Sequence, residues 1–128
     1  MSKTKDSLDL YTYKAKFISN YDGDTVRLNV DLGMETNIGA AGKGIPFRLY
    51  GIDTPEMRGD DKAAGKRSKD AVSKMLHDAE IFIQTVKGDS RGKYGRYLAT
   101  ILITQEDGTL LNLNHWLVAQ GLAVFKDY

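Results

Sequence analysis

Apolar and polar residues alternate through residues 11–17: Tyr11, Tyr13, Ala15 and Phe17 interleave with Thr12, Lys14 and Lys16. That is the two-residue period of a half-buried strand. After a turn at Asp22-Gly23 the alternation resumes, with Val26, Leu28, Val30 and Leu32 on one face of a second strand. Residues 33–44 hold four of the thirteen glycines and predict a hairpin loop, and residues 45–50 predict a third strand. The period then changes. Across residues 62–79, Ala64, Ala71, Val72, Met75, Leu76 and Ala79 recur at helical steps, and Asp60 or Asp61 stands where a cap is needed. Gly65 falls inside this helix as a weak point, at about 1 kcal/mol against alanine. Residues 81–86 and 97–104 read as strands joined by a polar loop. Leu113, Trp116 and Leu117 mark the inner face of a second helix, with Asn112 as its cap and Gly121 as its stop.

Three strands, a helix, two strands and a helix predict a mainly β, α+β fold: a five-stranded, partly open barrel of the OB type. An α+β sandwich fits the same order. A chain of 128 residues supports one domain spanning 1–128, with the polar residues 1–10 expected to be a flexible leading segment. A formal net charge of +1 gives no bulk attraction to nucleic acid, so any anion binding must come from local clustering. The absence of cysteine excludes disulfide scaffolds, zinc–thiolate sites and thiol catalysis, and two histidines, His77 and His115, are too few for a histidine-rich metal cluster. The start of the chain has no apolar signal-peptide core, and no stretch reaches the length of a membrane span. The expected location is cytoplasmic, with no membrane partner.

The chemistry concentrates in three short runs: Asp22-Gly23-Asp24-Thr25, Arg48 through Glu56, and Lys93-Tyr94-Gly95-Arg96. Asp24 shares the strand parity of Val26 and Leu28 and is expected to point inward, where a bare carboxylate is costly unless paired or metal-bound. Asp53 and Glu56 flank Thr54-Pro55, and the proline holds Thr54 extended, fixing the aim of its carbonyl. Carboxylate and carbonyl oxygens suit calcium or magnesium rather than zinc or copper. Arg48 and Arg96 offer forked donors that match a phosphate and stay charged. Each aspartate alone can be a turn residue capping local backbone, and each arginine alone a surface ion pair. Taken together they suggest metal-dependent cleavage of a phosphodiester.

These runs, with Gln120-Gly121-Leu122-Ala123, closely resemble staphylococcal nuclease and its thermonuclease-like relatives, from about Tyr13 to Ala123. The resemblance implies a five-stranded OB barrel and hydrolysis of DNA and RNA with calcium, leaving 3′-phosphate ends. By position it implies calcium ligation by Asp24, Asp53 and the Thr54 carbonyl, with magnesium as the alternative ion. Glu56 is implied as general base, Arg48 and Arg96 as phosphate-binding catalytic groups, and Lys93 and Tyr94 as contacts to the substrate's terminal phosphate.

Three departures stand out. The loop after Glu56 is short, and Phe125, Lys126 and Tyr128 occupy the stretch where the family carries nucleotide-stacking tyrosines. No counterpart of the family's C-terminal helix is expected, so that two helices remain and the expectation is either a pared-down fold or a homodimer whose partner subunit shields the exposed surface. The competing expectation is a noncatalytic OB-type module that binds nucleic acid without cleaving it. The basic residues along the first helix, Lys62, Lys66, Arg67, Lys69 and Lys74, lie among acids and read as a solvated face.

Overall fold

The computed structural model describes residues 11–39, 42–86 and 96–126. Nine strands and two helices are defined among them: β1 (Thr12–Asn20), β2 (Thr25–Gly33), β3 (Thr36–Ile38), β4 (Ile45–Leu49), β5 (Ile52–Asp53), α1 (Lys62–Leu76), β6 (Ile81–Thr85), β7 (Tyr97–Thr104), β8 (Leu110–Asn112), α2 (Leu113–Ala119) and β9 (Val124–Phe125). The main sheet runs β1-β6-β7-β4-β2-β3, with β8 on β7 and a further ladder between β1 and β2. Within it, β4 and β7 are parallel, pairing Phe47 with Tyr97 and Arg48 with Leu98. A register shift between Phe17 and Ser19 marks a bulge that bends β1 where it passes β2.

These pairings correct the expectation of a five-stranded OB-type barrel. The molecule is a mixed α+β fold with seven strands in one sheet, and β5 and β9 stand apart as a second, two-stranded sheet. The reason is local. Residues 33–44, expected to be loop, contain β3, because Gly33, Met34 and Glu35 all take positive φ and turn the chain straight back onto β2. Leu32 therefore lies 40% exposed on this hairpin instead of in the core.

Five strands carry the core in strict alternation: Ala15 of β1; Val26, Leu28 and Val30 of β2; Phe47 and Leu49 of β4; Ile81 and Ile83 of β6; Ala99, Ile101 and Ile103 of β7. The helices cover this layer with Val72 and Leu76 from α1 and Leu113 and Leu117 from α2. The Asn112 side chain caps α2 by accepting from the His115 amide at 3.0 Å, as its position predicts. Asp61 does not cap α1 with its side chain, since a 3-10 turn at Gly59–Asp61 already leads into the helix. Among the described residues, no helix is long and apolar enough to cross a membrane.

Candidate active site

The acidic runs come together at one end of the sheet because α1 is pressed against both. A Cβ on Gly65 would overlap the Glu56 carbonyl oxygen and come within 2.9 Å of that of Pro55. A Cβ on Gly23 would lie 2.8 Å from the Ser68 Cβ and 2.9 Å from Thr54 Cγ2. Gly65 is therefore no defect in the helix: it is the contact that lets α1 reach the Pro55-Glu56 backbone. Ser68 Oγ donates to the Leu122 carbonyl at 2.6 Å, tying the same helix to the segment after α2.

Within this frame Arg48 is the hub. Its Nη1 lies 2.7 Å from Asp24 Oδ2, and its Nη2 lies 3.2 Å from Asp53 Oδ1. Nη2 also donates to the Ile52 carbonyl at 3.2 Å. Asp24 Oδ2 accepts in addition from the Thr54 amide at 3.0 Å. Asp24, Arg48, Asp53 and Thr54 thus form one bonded cluster. The Arg48 side chain, only 12% exposed, is buried between the two carboxylates, not presented to solvent as its strand parity allowed.

Asp22, which the residue pattern alone did not single out as a site residue, belongs with them. Its Oδ1 accepts from the Asp24 amide at 3.1 Å. Burial, and then the charge of Asp24 beside it, push its carboxyl up to about 6. Burial would raise Asp24 as well, but the bond with Asp22, the Thr54 amide and the Arg48 guanidinium together hold it below the usual carboxylate range. The spacing Asp-Gly-Asp was the available signal, since a single glycine leaves both carboxylates on one tight turn.

Glu56 and Arg96 both line a cleft of about 440 Å³, together with Tyr21, Asp22, Met57 and Arg58. Glu56 is exposed and meets Arg58 at 3.4 Å. Arg96 Nη1 donates to Thr25 Oγ1 at 2.9 Å, and Thr25 is the Cα partner of Arg48 across β2 and β4. A second cavity of about 400 Å³ is also lined by Glu56, with Asp53, Thr54 and Asp61 among its other walls. Lys93 and Tyr94 lie outside the described residues.

The donor set can be tested for a hard cation. Among the described residues, no three histidine, aspartate or glutamate side chains gather as a metal cage. What is present is Asp24, Asp53 and the Thr54 carbonyl, all oxygen donors. Among the described residues the Thr54 hydroxyl is buried without a hydrogen-bond partner, and the Asp22 and Asp24 carboxyls crowd each other. Oxygen donors of this kind are the type that a hard cation such as calcium or magnesium takes.

The family model described as staphylococcal nuclease homologue matches residues 46–128, well over half of the chain. The match includes Arg48, Asp53, Thr54, Glu56 and Arg96, and starts after the Asp22–Asp24 turn.

Proposed function

From the premise that the chain belongs to the staphylococcal nuclease family, we propose that it is a metal-dependent nuclease hydrolysing phosphodiester bonds of DNA and RNA. The observation that carries this reading is Arg48 bridging Asp24 and Asp53 next to a cleft walled by Glu56 and Arg96. Two guanidinium groups, three carboxylates and an open cleft at one end of the sheet supply what phosphoryl transfer needs, which is mostly positioning and charge.

Each residue has a distinct role in this mechanism. Asp24, Asp53 and the Thr54 carbonyl would hold a calcium ion, with magnesium as the alternative. When bound, that ion supplies a positive charge that polarises the phosphate. Glu56 reaches solvent in the cleft, where it takes a proton from the water that attacks phosphorus. Arg96, held in orientation by Thr25, donates to the nonbridging oxygens as negative charge gathers there. Arg48 contributes the second set of donors from the cluster beneath. Cleavage at the bond to the 5′ oxygen leaves a 3′ phosphate.

The test is degradation of plasmid DNA and of RNA by the purified protein in millimolar calcium, repeated with chelator, with product ends typed by phosphatase. Glu56→Gln is expected to lower kcat by about 10²–10⁴-fold, the usual contribution of a general base. Intact DNA and RNA after prolonged incubation in calcium would sink the proposal. Tight binding of single strands that ignores chelator would point instead to a noncatalytic module.

A further inference from the structure

We propose that Tyr21 is a stacking platform for an unpaired nucleobase beside the scissile phosphate, so that handling of a single strand depends on this ring and handling of duplex does not. The inference deepens the nuclease reading of the same cleft and rests on it.

Tyr21 is 76% exposed, an unusual position for so large a ring if packing were its purpose. A lone exposed aromatic needs no explanation in itself. Here its location does the arguing, because it lines the same cleft as Glu56 and Arg96. Nor does it sit on a loose loop. Its amide donates to the Thr25 carbonyl at 3.1 Å, and Asp22 beside it accepts from the Asp24 amide. The ring is therefore carried by a turn that is already ordered, and little conformational freedom is lost when a ligand lies on it.

Met57 and Arg58 line the cleft with it. A polarisable thioether and a planar guanidinium are both suited to the flat face of a base. At about 440 Å³ the cleft falls at the small end of the range for ligand sites, room for one nucleotide unit. In a duplex both faces of each base are covered by neighbours, so Tyr21 gains access only after the base leaves its stack. In a single strand the face is already available. Among the described residues, no other aromatic side chain lines this cleft. Of the two stacking candidates suggested by sequence, Phe125 packs edge-on against His115 with ring centres 5.6 Å apart and is not among the residues lining the cleft, and Tyr128 lies outside the described residues.

The experiment compares wild type, Tyr21→Ala, Tyr21→Phe and Tyr21→Trp on a single-stranded oligodeoxythymidylate and on a hairpin duplex, reading KM and kcat separately. Tyr21→Ala is expected to raise KM on the single strand by roughly 10- to 100-fold, with a change under about twofold on duplex. Tyr21→Phe keeps the ring and restores the wild-type KM. An unchanged KM in Tyr21→Ala, or equal losses on both substrates, overturns the inference. A second measurement does not require turnover: Tyr21→Trp is titrated with the oligodeoxythymidylate in chelator and its tryptophan fluorescence is followed against the half-buried Trp116 background. Saturable quenching above that of wild type upholds stacking, and no added quenching overturns it. If wild type cleaves nothing, the nuclease reading falls while this titration still decides the role of Tyr21.

Discussion

Replacing Arg48 with glutamine tests the electrostatics of the cluster most directly. In the folded protein the guanidinium offsets two carboxylates, one of them, Asp24, with a side chain only 4% exposed. Removing it leaves Asp24 buried with the Thr54 amide and Asp22 as its remaining partners. Stranding a buried charge typically costs about 3–5 kcal/mol. The Asp53 half of the bridge adds little, because that side chain is 45% exposed and solvent screens it. A loss of about 3 kcal/mol in metal-free buffer is therefore expected, or roughly 10–15 °C in Tm for a domain of this size.

Calcium should then reverse much of the damage. A cation held by Asp24 and Asp53 replaces the missing charge, and at a hundredfold excess over Kd it returns about 2.7 kcal/mol. The assay is thermal unfolding of wild type and Arg48→Gln with and without calcium, with calorimetric calcium titrations of both proteins. The calcium-induced rise in Tm is expected to be larger in the variant than in wild type, because without the guanidinium the charge of Asp24 and Asp53 is not already offset. Turnover of the variant is expected to fall by about 10²–10³-fold, since a phosphate donor has been lost. A variant as stable as wild type in chelator, or one that calcium fails to rescue, would show that the bridge does not organise these carboxylates.

Three further outcomes follow from the same geometry. Asp22 has a folded value of about 6 against an ordinary 3.8, so its stabilising contribution is complete below 3.8 and is lost as pH rises through about 6. Asp22→Asn should therefore raise Tm at pH 7 in chelator and flatten the decline between those values, and an unchanged pH profile would contradict the crowding of Asp22 and Asp24. Gly65→Ala gains about 1 kcal/mol of helix propensity but drives a methyl into the Glu56 carbonyl, at about 1–3 kcal/mol; the expected result is lower stability in urea and lower kcat together. A more stable, fully active variant would disprove the contact. Asn114, 1% exposed, accepts from the Ile101 amide and donates to the Tyr50 and Ala99 carbonyls. Asn114→Ala should cost about 2–4 kcal/mol, seen as a lower urea midpoint at unchanged slope.

Much of the framework was legible in the residue pattern because it depends on local periodicity. Residues 97–104 read as a strand and form β7 with those limits; Asp24 shares the parity of Val26 and is buried; Asn112 caps α2. What the pattern could not carry depends on partners distant in the chain. β5 and β9 have two residues each and exist because Ile52 meets Phe125 and Asp53 meets Val124, a pairing that no local period encodes. Gly65 looked like a flaw for the same reason, since the atoms that require it belong to Pro55 and Glu56. Arg48 was ambiguous because parity gives a direction and not what waits there; the carboxylates that bury it lie before β2 and in β5. Asn114 was overlooked because a polar residue on a short helix carries no sign that its amide joins β7 to the turn after β4.

The parallel pairing of β4 with β7 explains why the two arginines lie at one end of the molecule. Antiparallel neighbours joined by short turns bring together residues close in sequence, whereas a parallel ladder needs a long crossover and so joins distant ones. Here the crossover passes through α1 and β6 and returns the chain so that Tyr97 lies beside Phe47. Arg96, one residue earlier, then reaches Thr25, the Cα partner of Arg48. The same α1 is braced on the acidic turns by Gly23 and Gly65, so one crossover both places the second guanidinium and packs against the turns that carry the carboxylates. Core strands fix these positions, while Tyr21, Met57 and Arg58 occupy the turns at the cleft's rim. Substrate preference can therefore change through rim residues without disturbing the charged cluster, as expected where loops carry recognition on a rigid sheet.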